Sequence, residues 1–404
     1  MIKRLCAAIA GTGIALLAGA ALAQNSVLVG VNIPRTGPVG PVGALIEPGI
    51  RLAVDEINAA GGIKSLGGAR IDLRWADNQA NPSLAASEEQ RLVQQENVAL
   101  VIGGGASGAE LTATQMAERL KVAHVVSIAT ANEITGRGFR YTFQVSARGN
   151  DYAQGFVEFL NFLRSERKTA AKRVVVLNEN SPLGASVAKD LLPAAKSAGY
   201  EVVEHIEYPA STSDVSSLLT RIRAAKPDVV LHIGYVGDSI LLWNTRRQMG
   251  MEAIPFIGIT SGIGSPAFIK AVGAAANGAL TLSQTNVDIP REAIRKFAAA
   301  HEARFKVPPE NNGFFGYQAV YVVKAALEKA ASRDPEAIRQ ALASLDMTSD
   351  VVLAQDAIRF ADNGANRESP VLMLQIQNGR LVTVWPAQAA AAKGDFSQFD
   401  KLRQ

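Results

Sequence analysis

Short apolar, β-branched runs alternate along this chain with segments whose apolar residues recur every three or four positions. Val27 to Ile33 reads as a buried strand stopped by Pro34. Ile50, Ala53, Val54 and Ile57 then mark one face of a helix closed by Gly61-Gly62. Ile71 to Trp75 predicts a second strand, and Asn81-Pro82 supplies a cap and first-turn proline for a helix to about Asn97. Val98 to Ile102, the stripe Ala113, Met116, Ala117 and Leu120, and Val122 to Ile128 continue the strand–helix–strand order.

The rhythm restarts after Arg148, with a helix near Tyr152 to Leu163, a strand at Val174 to Leu177 and a helix over Ala185 to Ser197. Strand Val202 to Tyr208, a helix capped by Ser213, strand Val229 to Ile233, a helix to Met249 and strand Pro255 to Ile259 follow. Such alternation requires parallel sheets covered by helices on both faces. Two blocks of four to five strands predict an α/β protein of two doubly wound parallel-sheet lobes. From Asp288 the pattern changes to helices, one marked by Ile294, Phe297, Ala298, His301 and Phe305 and one over Gly316 to Ala331. An antiparallel hairpin closes it, Val371 to Gln377 and Leu381 to Trp385 about an Asn378-Gly379 turn. The stretch after Ala387, rich in Ala and Lys, is expected to be loosely ordered.

The first residues bear on compartment. Lys3 and Arg4 precede an apolar run from Leu5 to Ala20, and Ala21-Leu22-Ala23 is an A-x-A cleavage signal with cutting expected before Gln24. Cys6, the only cysteine, would leave with that segment, so a mature chain has no disulfide and no Cys-based metal site. It would carry 39 basic residues against 37 acidic ones among 381, too balanced to favour nucleic acid as a partner. A chain of that length exceeds what one core usually supports.

Gly103-Gly104-Gly105-Ala106-Ser107-Gly108 satisfies G-x-G-x-x-G between a strand and a helix. It lies at the third strand–helix unit rather than the first, and the next strand ends in Ser127-Ile128-Ala129-Thr130 without the acid that would hold a ribose. A dinucleotide enzyme is therefore the weaker reading. Bare backbone amides beside a hydroxyl at a helix N-terminus will bind any compact anion, a carboxylate included. In a parallel sheet Thr130 reaches the same edge as Ser107, so two hydroxyl-bearing turns meet there.

Thr36-Gly37-Pro38-Val39, Gly49-Ile50-Arg51-Leu52-Ala53, Ile57-Asn58-Ala59-Ala60-Gly61-Gly62-Ile63 and Val101-Ile102-Gly103 together form a specific pattern. Ala129-Thr130-Ala131-Asn132-Glu133-Ile134-Thr135, Asp151-Tyr152-Ala153-Gln154-Gly155 and Gly316-Tyr317-Gln318-Ala319-Val320 extend it. Through these the chain resembles, over nearly its whole mature length, the type I periplasmic binding proteins of the branched-chain amino acid (leucine/isoleucine/valine) ABC-transporter group. The resemblance implies two lobes that close on a ligand, joined by three crossings near Val145, Ser283 and Gln355. Lobe I would comprise 24–145 and 284–355, lobe II 146–283 and 356–388, with 389–404 as a tail. Ser107 and Thr130 would hold the ligand carboxylate, with the backbone of Ile128 and Ala129 nearby. Val42 would face the cleft from the first loop, and Leu183, Tyr235, Thr260 and Ser261 from the second lobe. The implied partners are a small carboxylate ligand and an inner-membrane ABC permease, for a periplasmic monomer without cofactor or metal. A ligand-sensing receptor of the same fold is the alternative.

The departures bear on the ligand, expected to be a branched-chain or hydrophobic amino acid or a related aliphatic or aromatic organic acid. The family's amino-acid binders place an acid in the second lobe against the ligand ammonium, whereas Phe256 to Gly262 contains none. An unpaired buried ammonium costs about two to three decades of affinity. Glu179 or Asp238 would have to substitute, or the ligand lacks an ammonium, and the second expectation is favoured. A hydrolase is disfavoured by the absence of G-x-S-x-G, and no H-x-x-x-H spacing or carboxylate–histidine cluster is visible among the four histidines. His124, His232 and His301 read as core residues, and His205 as part of a solvated face.

Overall fold

The computed structural model describes residues 26–259 and 262–402. The segment expected to be a cleaved leader, and Thr260 and Ser261 of the expected ligand set, lie outside the described residues.

Five parallel strands form the first sheet: β1 (Ser26–Ile33), β2 (Arg70–Asp77), β3 (Leu100–Gly103), β4 (His124–Val126) and β5 (Thr142–Gln144), in the order β2-β1-β3-β4-β5. Three helices connect them: α1 (Gly40–Ala59), α2 (Pro82–Gln94) and α3 (Ser107–Leu120). Asn81 caps α2 by accepting the Leu84 N–H at 3.0 Å, with Pro82 in the first turn. Strand β5 escapes the hydrophobic pattern because it has only three residues, and Val122 to Ile128 yields only β4 because Ser127 and Ile128 turn into the site below.

The chain then builds a second sheet. Its elements are α4 (Gly149–Glu166), β6 (Arg173–Glu179), α5 (Pro182–Ser197), β7 (Glu201–Tyr208), α6 (Ser216–Ala225), β8 (Val229–Ile233), α7 (Val236–Gln248), β9 (Phe256–Ile259), α8 (Pro266–Val272) and β10 (Leu280–Ser283). Ser213 does not cap α6; the N-cap position is Val215, and Asp214 accepts the Ser216 N–H at 2.9 Å instead. Strands β6 to β10 are parallel, and the hairpin β11 (Leu372–Gln377) and β12 (Arg380–Trp385) adds antiparallel to β10. The order β12-β11-β10-β9-β8-β6-β7 makes seven strands rather than four or five. Asn378 and Gly379 have φ of 51° and 74°, the paired positive values of a tight hairpin turn.

Between β10 and β11 the chain returns to the first core through α9 (Glu292–Phe305), α10 (Asn311–Ala330) and α11 (Pro335–Ala343). Helices α1 and α10 pack backbone to backbone: a Cβ on Gly49 would stand 2.0 Å from the Gly313 carbonyl oxygen. The third passage differs from its expected place near Gln355. Ile358 bridges Met347, Ala365 bridges Gln144 of β5, and Asn366 donates to the Val145 carbonyl, so the chain stays with the first sheet to Asn366 before entering β11. The C-terminal stretch is likewise not loose. Phe396 and Phe399 are buried in the core that holds Phe159 and Leu160 of α4. Apolar anchors inside a polar stretch override its composition.

Candidate ligand-binding site

A cavity of about 240 Å³ lies between the two sheets' loop edges. The first-sheet side contributes Pro41, Val42 and Leu45 from α1, Gly105 and Ser107 from the β3–α3 turn, Ile128, Ala129 and Thr130 after β4, and Glu310 and Asn312 at the start of α10. The other side contributes Tyr152, Leu183, Tyr235, Val236, Ile259 and Ser265 to Ala267. Ser107, Thr130, Ala129, Ile128, Tyr235, Leu183 and Val42 are thus brought to one cavity, Val42 from the first turn of a helix rather than from a loop.

The glycine turn is shaped by close approach. Gly104 has φ +148°, and a Cβ there would stand 2.2 Å from Ser127 Oγ. Its amides are not bare, however. Gly104 N–H donates to Glu110 Oε1 at 2.8 Å, and Gly105 N–H to the Ile128 carbonyl at 2.7 Å. Ser107 Oγ accepts the N–H groups of Thr130 and Ala131 at 3.0 and 3.2 Å, and Ser146 Oγ takes that of Ala129. With its acceptor capacity used, the Ser107 hydroxyl keeps its proton to donate into the cavity. Among the described residues Thr130 Oγ1 has no protein partner. Ala106, the N-cap of α3, offers no side-chain acceptor to the first amides of that helix. Anion-binding capacity therefore rests on two hydroxyls and the first turn of α3, not on the glycine amides.

Behind the turn lies a cluster that sequence spacing does not reveal. His124 Nδ1 is 2.8 Å from Glu89 Oε1, and its Nε2 is 2.9 Å from Glu110 Oε2. Glu89 Oε2 accepts from Asn32 Nδ2 at 2.9 Å. All four residues are wholly buried. The expectation of no carboxylate–histidine cluster is thus overturned, because α2, α3 and β4 bring together residues 35 and 14 positions apart. Burial opposes charge on the ring, but the two carboxylates outweigh it and push His124 up from 6.5 to about 10. Sealed from solvent, the cluster braces the turn and cannot reach a substrate.

Neither acid expected to substitute in the second lobe lines the cavity. Glu179 is saturated by Ser181 N–H, Ser181 Oγ and Gly184 N–H at 2.6, 2.7 and 2.9 Å, and burial raises its pKa. Asp238 accepts from the Tyr208 hydroxyl, and burial pushes it up to about 6. His232, bonded to the same hydroxyl at 2.9 Å, is driven down to about 3 by burial. Burial and the nearby Glu179 charge raise the Tyr235 phenol, which stays protonated. The one ionisable carboxylate on the cavity wall among the described residues is Glu310, on the first-sheet side rather than in the second lobe where an acid is expected. Only its position before a helix in Pro308-Pro309-Glu310 marks it in the sequence. Among the described residues no group of three His, Cys, Asp or Glu is arranged to hold a metal ion. No helix there is long and apolar enough to cross a membrane.

Comparison with known proteins agrees with this architecture. Residues 26–380 match the family model described as periplasmic binding protein. The Leu/Ile/Val-binding protein homolog 7 of Brucella suis is 31% identical over 94% of this chain and 96% of its own length. The leucine-binding protein LivK of Thermotoga maritima superposes with a TM-score of 0.78 at 22% identity, covering 88% of this chain and 97% of that one. A solute-binding protein of Rhodopseudomonas palustris, solved in complex with benzoate, gives 0.76 at 20% identity, covering 92% and 97%.

Proposed function

Because the chain belongs to the periplasmic binding protein family, we propose that it is the solute-capturing component of an ABC importer, taking a small, largely apolar carboxylate into the cleft between its lobes. In this reading it is exported, loses its leader before Gln24, and works as a monomer that hands its ligand to an inner-membrane permease. The observation that carries the proposal is the single cavity in which Ser107 and Thr130 meet an apolar wall built from both sheets. Its volume of about 240 Å³ is below the usual range for drug-sized ligands and suits a metabolite of amino-acid or benzoate size.

Binding begins on the first lobe while the cleft is open. The Ser107 and Thr130 hydroxyls and the first amides of α3 take the carboxylate, each charge-assisted bond contributing about 1.5–3 kcal/mol. Leu183 and Tyr235 then close over the apolar body, and the closed state is the one the permease selects. Thr260 and Ser261 extend the proposed second-lobe set. The range of solutes on this fold supports an amino acid or an organic acid equally, since a Streptococcus pneumoniae LivJ was solved with isoleucine and the Rhodopseudomonas protein with benzoate.

The test is calorimetry on refolded protein, freed of ligand from the host, against branched-chain amino acids, keto acids and aromatic acids. Replacing Ser107 and Thr130 together by Ala should weaken the best ligand by more than about tenfold in protein that still folds, with a lower unfolding midpoint because the Thr130 and Ala131 N–H groups lose the Ser107 Oγ acceptor. An unchanged dissociation constant would place the ligand elsewhere.

A further inference from the structure

The ends of the cavity differ chemically. At one end stand Ser107 and Thr130, with Gly108 beside them facing Pro182, which opens α5 after β6; a Cβ on Gly108 would lie 3.9 Å from the Pro182 ring. At the other end Glu310 shares with Pro266, which opens α8 after β9, the wall to an outer groove of about 660 Å³. Strands β6 and β9 are separated by β8, so the helices that Pro182 and Pro266 open follow strands about 10 Å apart, two interstrand spacings.

Glu310 is half-buried on the cavity wall. It occupies the N-cap of α10, yet its side chain makes no capping bond. Among the described residues its carboxylate accepts no hydrogen bond, and burial alone accounts for its raised pKa. Lys270 and Arg380 line the outer groove, but no ion pair joins either to Glu310. Half-buried and unbonded, that carboxylate is available to a donor that enters the cavity.

We infer that Glu310 is a specificity-determining residue that receives a hydrogen-bond donor at the end of the ligand opposite its carboxylate, so that the solute is an elongated amphiphile: carboxylate head, apolar middle and terminal ammonium or hydroxyl. The inference rests on the cleft reading above. It also revises the expectation drawn from the second lobe, since the acid is supplied by the first lobe and lies far from the position of an α-ammonium.

Calorimetry with matched acids tests it: δ-aminovalerate against valerate, para-hydroxybenzoate against benzoate, and leucine against its deaminated parent. In the unaltered protein at least one terminal donor should improve affinity by about tenfold or more over its parent acid, a preference that Glu310→Leu brings below about threefold. Glu310→Gln separates the sources, retaining a hydroxyl preference through its carbonyl but losing an ammonium preference. Neither variant should lower the melting temperature of the ligand-free protein, whereas loss of a merely structural carboxylate would lower it. Loss of all acids in equal proportion, an intact preference in Glu310→Leu, or a Glu310-dependent preference for leucine alone would overturn the assignment. If no acid binds and Ser107 and Thr130 prove inert, the cleft reading fails, and the Glu310 assignment falls with it.

Discussion

Replacing His124 by Leu removes the only cation from a wholly buried pair of carboxylates. Each ring nitrogen faces a carboxylate oxygen, at 2.8 and 2.9 Å, so both must donate and the ring is an imidazolium. Leucine fills similar space but leaves the Glu89 and Glu110 carboxyl groups facing an apolar side chain with no ring donor between them. Breaking a buried pair in this way costs about 3–5 kcal/mol, a large share of a typical domain's stability. The unaltered protein should also show the ring's titration. Its folded pKa of about 10 stands above the ordinary 6.5, so the stabilisation is complete below 6.5 and is lost as pH rises towards 10. The slope in that window approaches about 1.4 kcal/mol per pH unit. The variant, without the ring, should lack that dependence. Urea unfolding at several pH values reads both effects. A loss below about 1 kcal/mol near neutrality, or a flat profile for the unaltered protein between about pH 7 and 10, would refute the imidazolium assignment.

Phe399→Ala should destabilise the second lobe by about 3–5 kcal/mol, seen as a lower midpoint in thermal unfolding, because the ring is wholly buried beside Phe396 and α4. Gly104→Ala should weaken ligand binding in calorimetry by about tenfold or more, since the new methyl would meet Ser127 Oγ at 2.2 Å and displace the turn that presents Ser107. The Ser107 and Thr130 double replacement and the Glu310 variants complete the set.

The parallel strands were legible because β1, β3, β6, β8 and β9 are buried on both faces and so carry runs of Val, Ile and Leu. The hairpin was legible because Asn378-Gly379 suits two positive φ values. What escaped has physical reasons. Strand β5 is three residues long, too short for any periodicity, and is placed by its neighbours β4 and Ala365. Segment 356–366 carries no regular pattern and is held to the first sheet by isolated bridges, which left Gln355 as an apparent crossing. Of the site, Ser107 and Thr130 were legible because a strand–turn–helix motif fixes where its hydroxyls emerge. Glu310 was not, because it enters the cavity from a helix start some 180 residues later, brought there by α10 packing on α1.

The turn proposed to receive an anion is itself clamped from behind by a carboxylate. Glu110 holds Gly104 N–H with one oxygen and His124 with the other, so a negative group sits directly behind the turn proposed to receive a ligand carboxylate. With His124 charged, the Glu89–His124–Glu110 cluster bears one net negative charge; with the ring neutral it would bear two. At an effective dielectric near 20, each such charge opposes an incoming carboxylate by on the order of 2 kcal/mol, more than a decade of affinity. The buried proton on His124 therefore does two jobs that composition and spacing keep apart. It ties three elements of the first lobe together, and it halves the repulsion that the brace would otherwise impose on the site it supports.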